Sequence, residues 1–177
     1  MIRLTEFKNN LIDIVKPNRF LVSIQTPKVF NHNVNLNDMR FAVQAAQIPA
    51  RTSGEISIKY HGMELKLPGD SVNENLTLTF LNKSDWLPRT FYESWMNVIQ
   101  NITRAGQNTR TDTNKVLDDS FLIVQQLGNV ETSILAEYKF YCVFPKNISA
   151  SDLNMESGDS VQSFTVEFAY SYWERIK

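Results

Sequence analysis

The sequence is short of the residue types that carry most catalytic and metal chemistry. It has one cysteine, Cys142, and two histidines, His32 and His61, among 177 residues. One cysteine excludes an internal disulfide and a thiolate metal cluster, and apolar alternate neighbours predict that Cys142 is a buried core thiol. His32 lies in an asparagine-rich loop and His61 at a turn, so we interpret both as solvated polar residues rather than catalysts.

The common sequence motifs of enzymes are also missing. There is no phosphate-binding glycine loop, no dinucleotide-binding glycine pattern, no nucleophilic serine elbow and no paired-histidine zinc motif. Asp118 and Asp119 are neighbours, but neighbouring residues of an extended strand point to opposite faces and do not share a substrate. We therefore expect no catalytic residue, no cofactor and no metal, in a protein that is not an enzyme.

A charge excess of one sign and long apolar runs are absent as well. The chain has 18 Lys and Arg residues and 19 Asp and Glu residues, which gives a net charge of −1. Proteins that bind DNA or anionic lipid usually carry an excess of basic residues. No segment approaches the roughly 20 apolar residues of a membrane span. Charges also interrupt residues 1–15, where a secretory signal needs an apolar stretch. We therefore expect no tight nucleic-acid binding, no membrane span and no signal peptide.

What the sequence does contain is alternation of apolar and polar residues. Its 42% hydrophobic and 21% charged residues are ordinary for a soluble globular protein, and we interpret 1–177 as a single domain. Period-two patterns predict about seven strands without regular strand–helix alternation, so the protein should be mainly β. An antiparallel barrel or sandwich with a helix alongside is expected. Two strands are predicted to be long, over "TSILAEYKFYCVFP" and "VQSFTVEFAYSYWE".

Helical spacing of apolar residues occurs in two places. It predicts an N-terminal helical arm over residues 1–16 and a flanking helix over 84–102, which Ser84 is expected to cap. The polar stretch 103–118 is predicted to be an exposed loop. The apolar stripe of the flanking helix is assigned to the core and includes Phe91, Trp95 and Ile99.

The stretch "EISIKYHGMELKLPG" predicts an extended hairpin over residues 55–68 that turns at His61-Gly62. Side chains alternate along a strand, so the hairpin has two unlike faces. The apolar face consists of Ile56, Ile58, Tyr60, Met63, Leu65 and Leu67, and the polar face includes Lys59, Glu64 and Lys66. Because a lone two-stranded hairpin is barely stable in water, the apolar face needs a cover from the rest of the chain or from another molecule.

Several motifs, taken in order, resemble the tail tube protein family of T-even-type contractile-tailed bacteriophages. The segments are "KPNRFLVSI", "AAQIPA", "LTLTFLN" followed by "FYESW", "EYKFYCVFPKNIS" and "DSVQSFTVEFAYSYWE". The matching positions are Pro17, Asn18, Phe20, Ile48, Pro49, Ala50, Phe144, Pro145, Tyr172, Trp173 and Glu174. The resemblance runs from about Pro17 to Glu174, and the loop from Thr26 to Asp38 is longer than the family pattern.

The resemblance implies two packed antiparallel sheets with a flanking helix, the inner sheet joining neighbouring subunits into one ring-wide barrel. It implies homo-hexameric rings stacked into a tube in the virion, assembled in the host cytoplasm. The expected partners are a contractile sheath protein, a baseplate tube initiator, a tail terminator and genomic DNA, which passes through the lumen without sequence-specific binding. The six apolar hairpin residues are then expected at subunit and ring contacts, with Lys59, Glu64 and Lys66 facing the channel or solvent.

Other functions stay open at this point. The chain could be the baseplate initiator of the tube, or the tube subunit of a phage-like injection machine, and the copy number per particle separates an initiator from a tube subunit. A monomeric β-barrel that binds a small apolar ligand is the alternative from a different class. The six apolar hairpin residues could also be ordinary core of the monomer.

Overall fold

The structure is a computed structural model that describes residues 15–32, 34–102, 108–110, 115, 117–129, 133–151, 153 and 161–177. The helices among them include α1 (Leu36–Arg40) and α2 (Leu87–Ile99). The strands are β1 (Phe20–Gln25), β2 (Val43–Gln47), β3 (Arg51–Tyr60), β4 (Met63–Asn73), β5 (Leu76–Leu81), β6 (Gln100–Ile102), β7 (Asn108–Arg110), β8 (Phe121–Leu127), β9 (Ile134–Tyr141), β10 (Phe144–Ile148), β11 (Ser163–Ala169) and β12 (Tyr172–Arg175). The predicted N-terminal arm lies almost wholly outside the described residues, as does much of the predicted loop 103–118.

Two four-stranded antiparallel sheets form the body of the protein, which is mainly β as predicted. The first sheet has the strand order β1-β8-β9-β12 and the second has the order β10-β11-β5-β2. Within the described residues the sheets form a sandwich and do not close into a barrel. Alternate residues of the facing strands make the core: Val22, Ile24, Leu76, Leu78, Phe80, Leu122, Val124, Phe140, Phe164, Val166 and Phe168.

Each of the two long strands predicted near the C-terminus is in fact two strands in different sheets. β9 ends at Tyr141, and the chain crosses at Cys142 to become β10, while β11 and β12 are separated at Tyr170 and Ser171. Because β9 pairs with β12 and β10 with β11, the two crossings lie side by side and form a corner of the sandwich. Cys142 has a φ of 55° there, and it is partly exposed rather than the buried core thiol expected.

Helix α2 is shorter at both ends than the helix predicted over 84–102. The Asp85 carboxylate accepts a hydrogen bond of 3.0 Å from the N–H of Leu87, the first helical residue. Asp85 therefore satisfies a free N–H of the first turn, the role expected of Ser84. At the other end residues 100–102 form β6, which pairs with β7.

The buried face of α2 packs on the second sheet through aromatic rings. Trp95 and Tyr92 are fully buried, and their ring centroids lie 6.4 Å and 5.7 Å from that of Phe168. Phe30, from the loop after β1, stacks on Trp95 at 5.9 Å. Phe91 and Trp95 thus belong to the core as predicted, and Tyr92 joins them.

The segment from β2 to β5 forms one long two-stranded ribbon that extends beyond the end of the second sheet. β2 pairs with β5 inside the second sheet, and β3 pairs with β4 beyond the end of that sheet. All residues of β3 and all residues of β4 except Gly69 are exposed. The hairpin is therefore longer than the predicted 55–68, and it projects from the body.

Candidate assembly surface

The hairpin has the predicted register. Tyr60 lies opposite Met63, and Ile58 lies opposite Leu65. The turn residues His61 and Gly62 have φ angles of 46° and 81°, the positive values that a tight two-residue hairpin turn requires. The turn and the strand period therefore place the six apolar side chains on one face, as the sequence indicates.

No part of the described chain covers that apolar face. The exposed fractions are 54% for Ile56, 46% for Ile58, 69% for Tyr60, 73% for Met63, 57% for Leu65 and 39% for Leu67. Among the described residues these side chains are exposed and not part of the core, which counts against the alternative that they are ordinary core of the monomer. A contiguous apolar patch of this kind marks a protein contact rather than a normal surface.

The opposite face of the hairpin is held by polar contacts between its own strands. The Ser57 hydroxyl donates a hydrogen bond to Glu64, and Lys66 forms an ion pair of 2.8 Å with Glu55. Lys59 lies opposite Glu64 in the register. Over residues 51–73 the charged residues cancel: Arg51, Lys59 and Lys66 against Glu55, Glu64 and Asp70. The hairpin therefore carries no net charge that would repel a second copy.

A pair of glycines lies near the base of the hairpin. The register shifts between Ser53 and Glu55, so that Gly54 faces the Gly69-Asp70 step. A Cβ at Gly54 would lie 3.0 Å from the Asp70 carbonyl oxygen, and one at Gly69 would lie 3.0 Å from the Gly54 carbonyl carbon. The two strands approach so closely here that side chains would force them apart.

Two strand edges of the second sheet have no partner strand in the part of the chain that the structure describes. Among the described residues β2 pairs only with β5, and β10 pairs only with β11. Unpaired edge strands are templates for pairing with another chain. Sequence reasoning did not find these edges, because the alternation of residues within a strand does not reveal which strands lie beside it in the sheet.

The outward face of the second sheet is polar. Thr79 lies opposite Thr165, Thr77 lies opposite Glu167, and all four are partly exposed. At the base of the hairpin this face borders a groove of about 500 Å³. The charged residues lining the groove are Glu74, Lys146 and Glu167. One lysine against two glutamates makes this groove unattractive to phosphate.

His32 is not the solvated loop residue predicted from the sequence. It is half buried, its Nδ1–H donates to the Val34 carbonyl at 3.1 Å, and its Nε2 accepts from the Thr26 hydroxyl at 3.0 Å. Its ring also packs against Phe30 and Phe91 at centroid distances of 5.1 Å. Packing and both hydrogen bonds give this histidine a structural role, while His61 is exposed at its turn as expected.

The described residues hold neither a metal-binding cluster nor a membrane-spanning helix. Across 15–32, 34–102 and the described segments that follow, no three His, Cys, Asp or Glu residues come together in a metal-binding group. Nor does any helix in the described part of the chain have the length and apolar character to cross a bilayer.

Known proteins share this fold. The chain matches one in the cryo-EM structure of an extracellular contractile injection system, "PVC sheath/tube terminator in extended state", with a TM-score of 0.65 and 15% identity. The match covers 93% of this chain and 97% of that one. The class of fold is thus that of a chain found in a contractile injection system.

Sequence relatives narrow the class to a family. The model of the family described as phage tail tube protein matches residues 15–176. The tail tube protein of Serratia phage KSP90 is 25% identical over 158 residues, covering 89% of this chain and 86% of that protein. The tail tube protein gp19 of Enterobacteria phage T4 is 23% identical over 163 residues, covering 92% of each chain. The chain belongs to the phage tail tube protein family, whose members are structural components of the tail. This family match confirms the resemblance noted in the sequence.

Proposed function

We propose that this chain forms the inner tube of a contractile tail by closing into hexameric rings that stack, and that genomic DNA leaves through the lumen. The observation that carries the proposal is the uncovered apolar face of the hairpin. Six large apolar side chains in water are unfavourable in a lone chain, and their burial against other subunits supplies a driving force for assembly.

Ring closure uses the free edges of the second sheet. β2 of one subunit pairs with β10 of its neighbour, so that the second sheets of all subunits form one barrel without a free edge. The hexameric number comes from the family resemblance, and the edge pairing is supported by the strand order.

The outward face of the second sheet then lines the lumen. Its rows of threonine, with Glu167 and few cations, suit a conduit that must not hold DNA. Each lysine or arginine in contact with phosphate would add salt-dependent affinity and slow the passage. A polar, weakly charged lumen supports passage without sequence-specific binding.

The hairpin makes the subunit and ring contacts in this proposal. Ile56, Ile58, Tyr60, Met63, Leu65 and Leu67 become buried on assembly, and Lys59, Glu64 and Lys66 face the channel or solvent. The cross-strand pairs of the polar face keep the two strands together while the apolar face packs on a neighbour.

The partners of such a tube follow from its geometry. A stack of rings has two ends and an outer wall. In this proposal one end meets a baseplate tube initiator, the other end meets a tail terminator, and the outer wall meets a contractile sheath protein. The fold shared with a chain in a sheath/tube terminator assembly supports this set. The chain acts as a building element of the virion, assembled in the host cytoplasm, and not as an enzyme.

Electron microscopy of the concentrated protein tests the proposal directly. We expect tubes whose cross-sections have sixfold symmetry, and sedimentation of rings at lower concentration. A chain that stays a compact monomer at every concentration and is missing from purified tails would refute it. Counting copies per particle by quantitative mass spectrometry separates a tube subunit, present in many rings, from an initiator, present in one.

A further inference from the structure

The proposed tube requires two different docking surfaces on each subunit, and this inference rests on that function. A stack of identical subunits is a head-to-tail assembly, in which one surface of each copy contacts a second, different surface of the next. The apolar face of the hairpin is one of the two. Its complement must lie elsewhere on the same chain and must reach the hairpin of another copy.

The topology places a second apolar surface at the opposite end of the second sheet. Phe41 comes just before β2, Val161 just before β11, and Trp86 shortly after β5. β2 runs toward the hairpin, β5 runs antiparallel to β2, and β11 pairs antiparallel with the other side of β5, so that β11 runs in the same direction as β2. The three residues therefore lie at the end of the sheet farthest from the hairpin.

Backbone hydrogen bonds hold the segments around these residues side by side. The Leu81 N–H donates to the Ala42 carbonyl at 2.8 Å, and the Asn82 N–H donates to the Gln162 carbonyl at 2.9 Å. Phe41 thus adjoins one side of the β5 end, and Val161 adjoins the other. Trp86 follows in the turn that leads from β5 into α2.

All three side chains are open to solvent in the single chain. The exposed fraction is 79% for Phe41, 72% for Val161 and 42% for Trp86. Single exposed apolar residues are common on protein surfaces, but three large ones at the same end of one sheet are typical of a contact site. We name Phe41, Trp86 and Val161 the receiving surface.

We infer that the receiving surface of one subunit is the docking site for the apolar face of the hairpin from a second copy in the adjacent ring. The reach is sufficient: β3 has 10 residues and spans about 33 Å, whereas β5 has 6 residues and spans about 20 Å. A hairpin longer than its own sheet extends well past the end of its subunit. Its zero net charge allows the contact to repeat around a ring without accumulating repulsion.

A charge placed in the receiving surface tests the inference. Phe41→Asp should leave the fold intact, because the side chain is 79% exposed, and should leave rings intact. It should raise the protein concentration needed for tube growth about tenfold or more, since aromatic contact residues dominate interface energies. Ile176→Asp is the matched control: Ile176 is 54% exposed beside β12 in the first sheet, and this variant should form tubes normally.

Cross-linking between copies locates the contact itself. In a Cys142→Ser background, a Phe41→Cys variant and a Met63→Cys variant are mixed, assembled and oxidised. We expect a disulfide-linked pair of the two variants only when tubes form. A Lys59→Cys variant, whose cysteine lies on the polar face of the hairpin, should not cross-link to Phe41→Cys.

The outcomes separate this inference from the proposed function. Tubes that grow normally with Phe41→Asp and give no cross-link to Met63→Cys would overturn the receiving surface while leaving the tube function intact. A wild-type chain that never forms tubes would overturn both. Loss of tubes in Phe41→Asp with intact rings, together with the specific cross-link, supports the inference.

Discussion

Ile58 and Leu65 lie directly opposite each other in the hairpin, and both are about half exposed, at 46% and 57%. A cross-strand aliphatic pair normally stabilises a sheet by packing against a layer above it. No described segment of this chain supplies that layer. We therefore expect the pair to contribute more to assembly than to the fold of the subunit.

Replacing this pair by threonines should separate assembly from folding. The double variant Ile58→Thr with Leu65→Thr keeps β-branched or strand-compatible side chains at both positions, so the hairpin persists. We expect an unfolding midpoint close to that of the wild type in dilute solution, and loss of tubes in electron micrographs. A variant that unfolds but still assembles would assign these residues to the core.

The neighbouring pair on the other face provides the control. Lys59 lies opposite Glu64, one position along each strand, so Lys59→Thr with Glu64→Thr makes the same change on the polar face. Glu64 also accepts the hydrogen bond from Ser57, and polar contacts between such exposed residues contribute little to stability. Tubes should form as in the wild type.

Alanine at Gly54 should disturb the hairpin without disturbing the body. The added Cβ would lie 3.0 Å from the Asp70 carbonyl oxygen, so the strands must separate there. We expect faster hydrogen exchange of hairpin amides and weaker assembly, with unchanged protection of β5. Ser53→Ala, one residue earlier on β3, is the control and should leave exchange unchanged. Equal exchange in the two variants would contradict the importance of the close approach.

Trp95 should be the costliest aromatic residue to remove. It is fully buried among the rings of Phe30, Phe91 and Phe168, so Trp95→Ala leaves a large cavity and should lower the free energy of unfolding by about 3–5 kcal/mol. Trp86→Ala, at a position that is 42% exposed, should change it by only about 0.5 kcal/mol. Chemical denaturation of both variants below the assembly concentration measures the difference.

The hydroxyl of Tyr141 should ionise at unusually high pH. Its hydrogen bond to Glu174, with burial and the Glu174 charge, raises the pKa of Tyr141 to about 12. Because the folded-state pKa lies above the ordinary value near 10, the stabilisation is present below about pH 10 and is lost as the pH rises toward 12. Glu174→Gln should lower this pKa, and ultraviolet titration of the phenolate against Tyr141→Phe measures it. An unchanged titration in Glu174→Gln would contradict the assigned cause.

Local patterns predicted the elements that depend only on neighbouring residues. The register of the hairpin follows from the His61-Gly62 turn, because a two-residue turn fixes which residues face each other. The buried stripe of β5, Leu76, Leu78 and Phe80, follows from period two in the same way. Order and spacing of short motifs were enough to predict the family.

The period-two pattern failed where one uninterrupted alternation of apolar and polar residues runs through two different strands. The run around Cys142 alternates without interruption, yet the chain turns there and changes sheets. A bend of this kind needs a partner segment that bends at the same place, and here the partner is around Tyr170, far away in the sequence. His32 was misjudged for a related reason, since its contacts with Phe30 and Phe91 arise only when the loop folds over α2.

The sequence by itself determined that the hairpin has one apolar face, because side-chain direction along a strand is a local property. It did not determine whether that face was inside or outside, since burial depends on which segments fold over it. The tertiary structure decided this: the sandwich fills its own core and leaves Ile58 and Leu65 uncovered. It also decided that β2 and β10 are edges and that Phe41 and Val161 lie at the far end of the same sheet, because strand order and the position of loop ends are set by packing between distant segments.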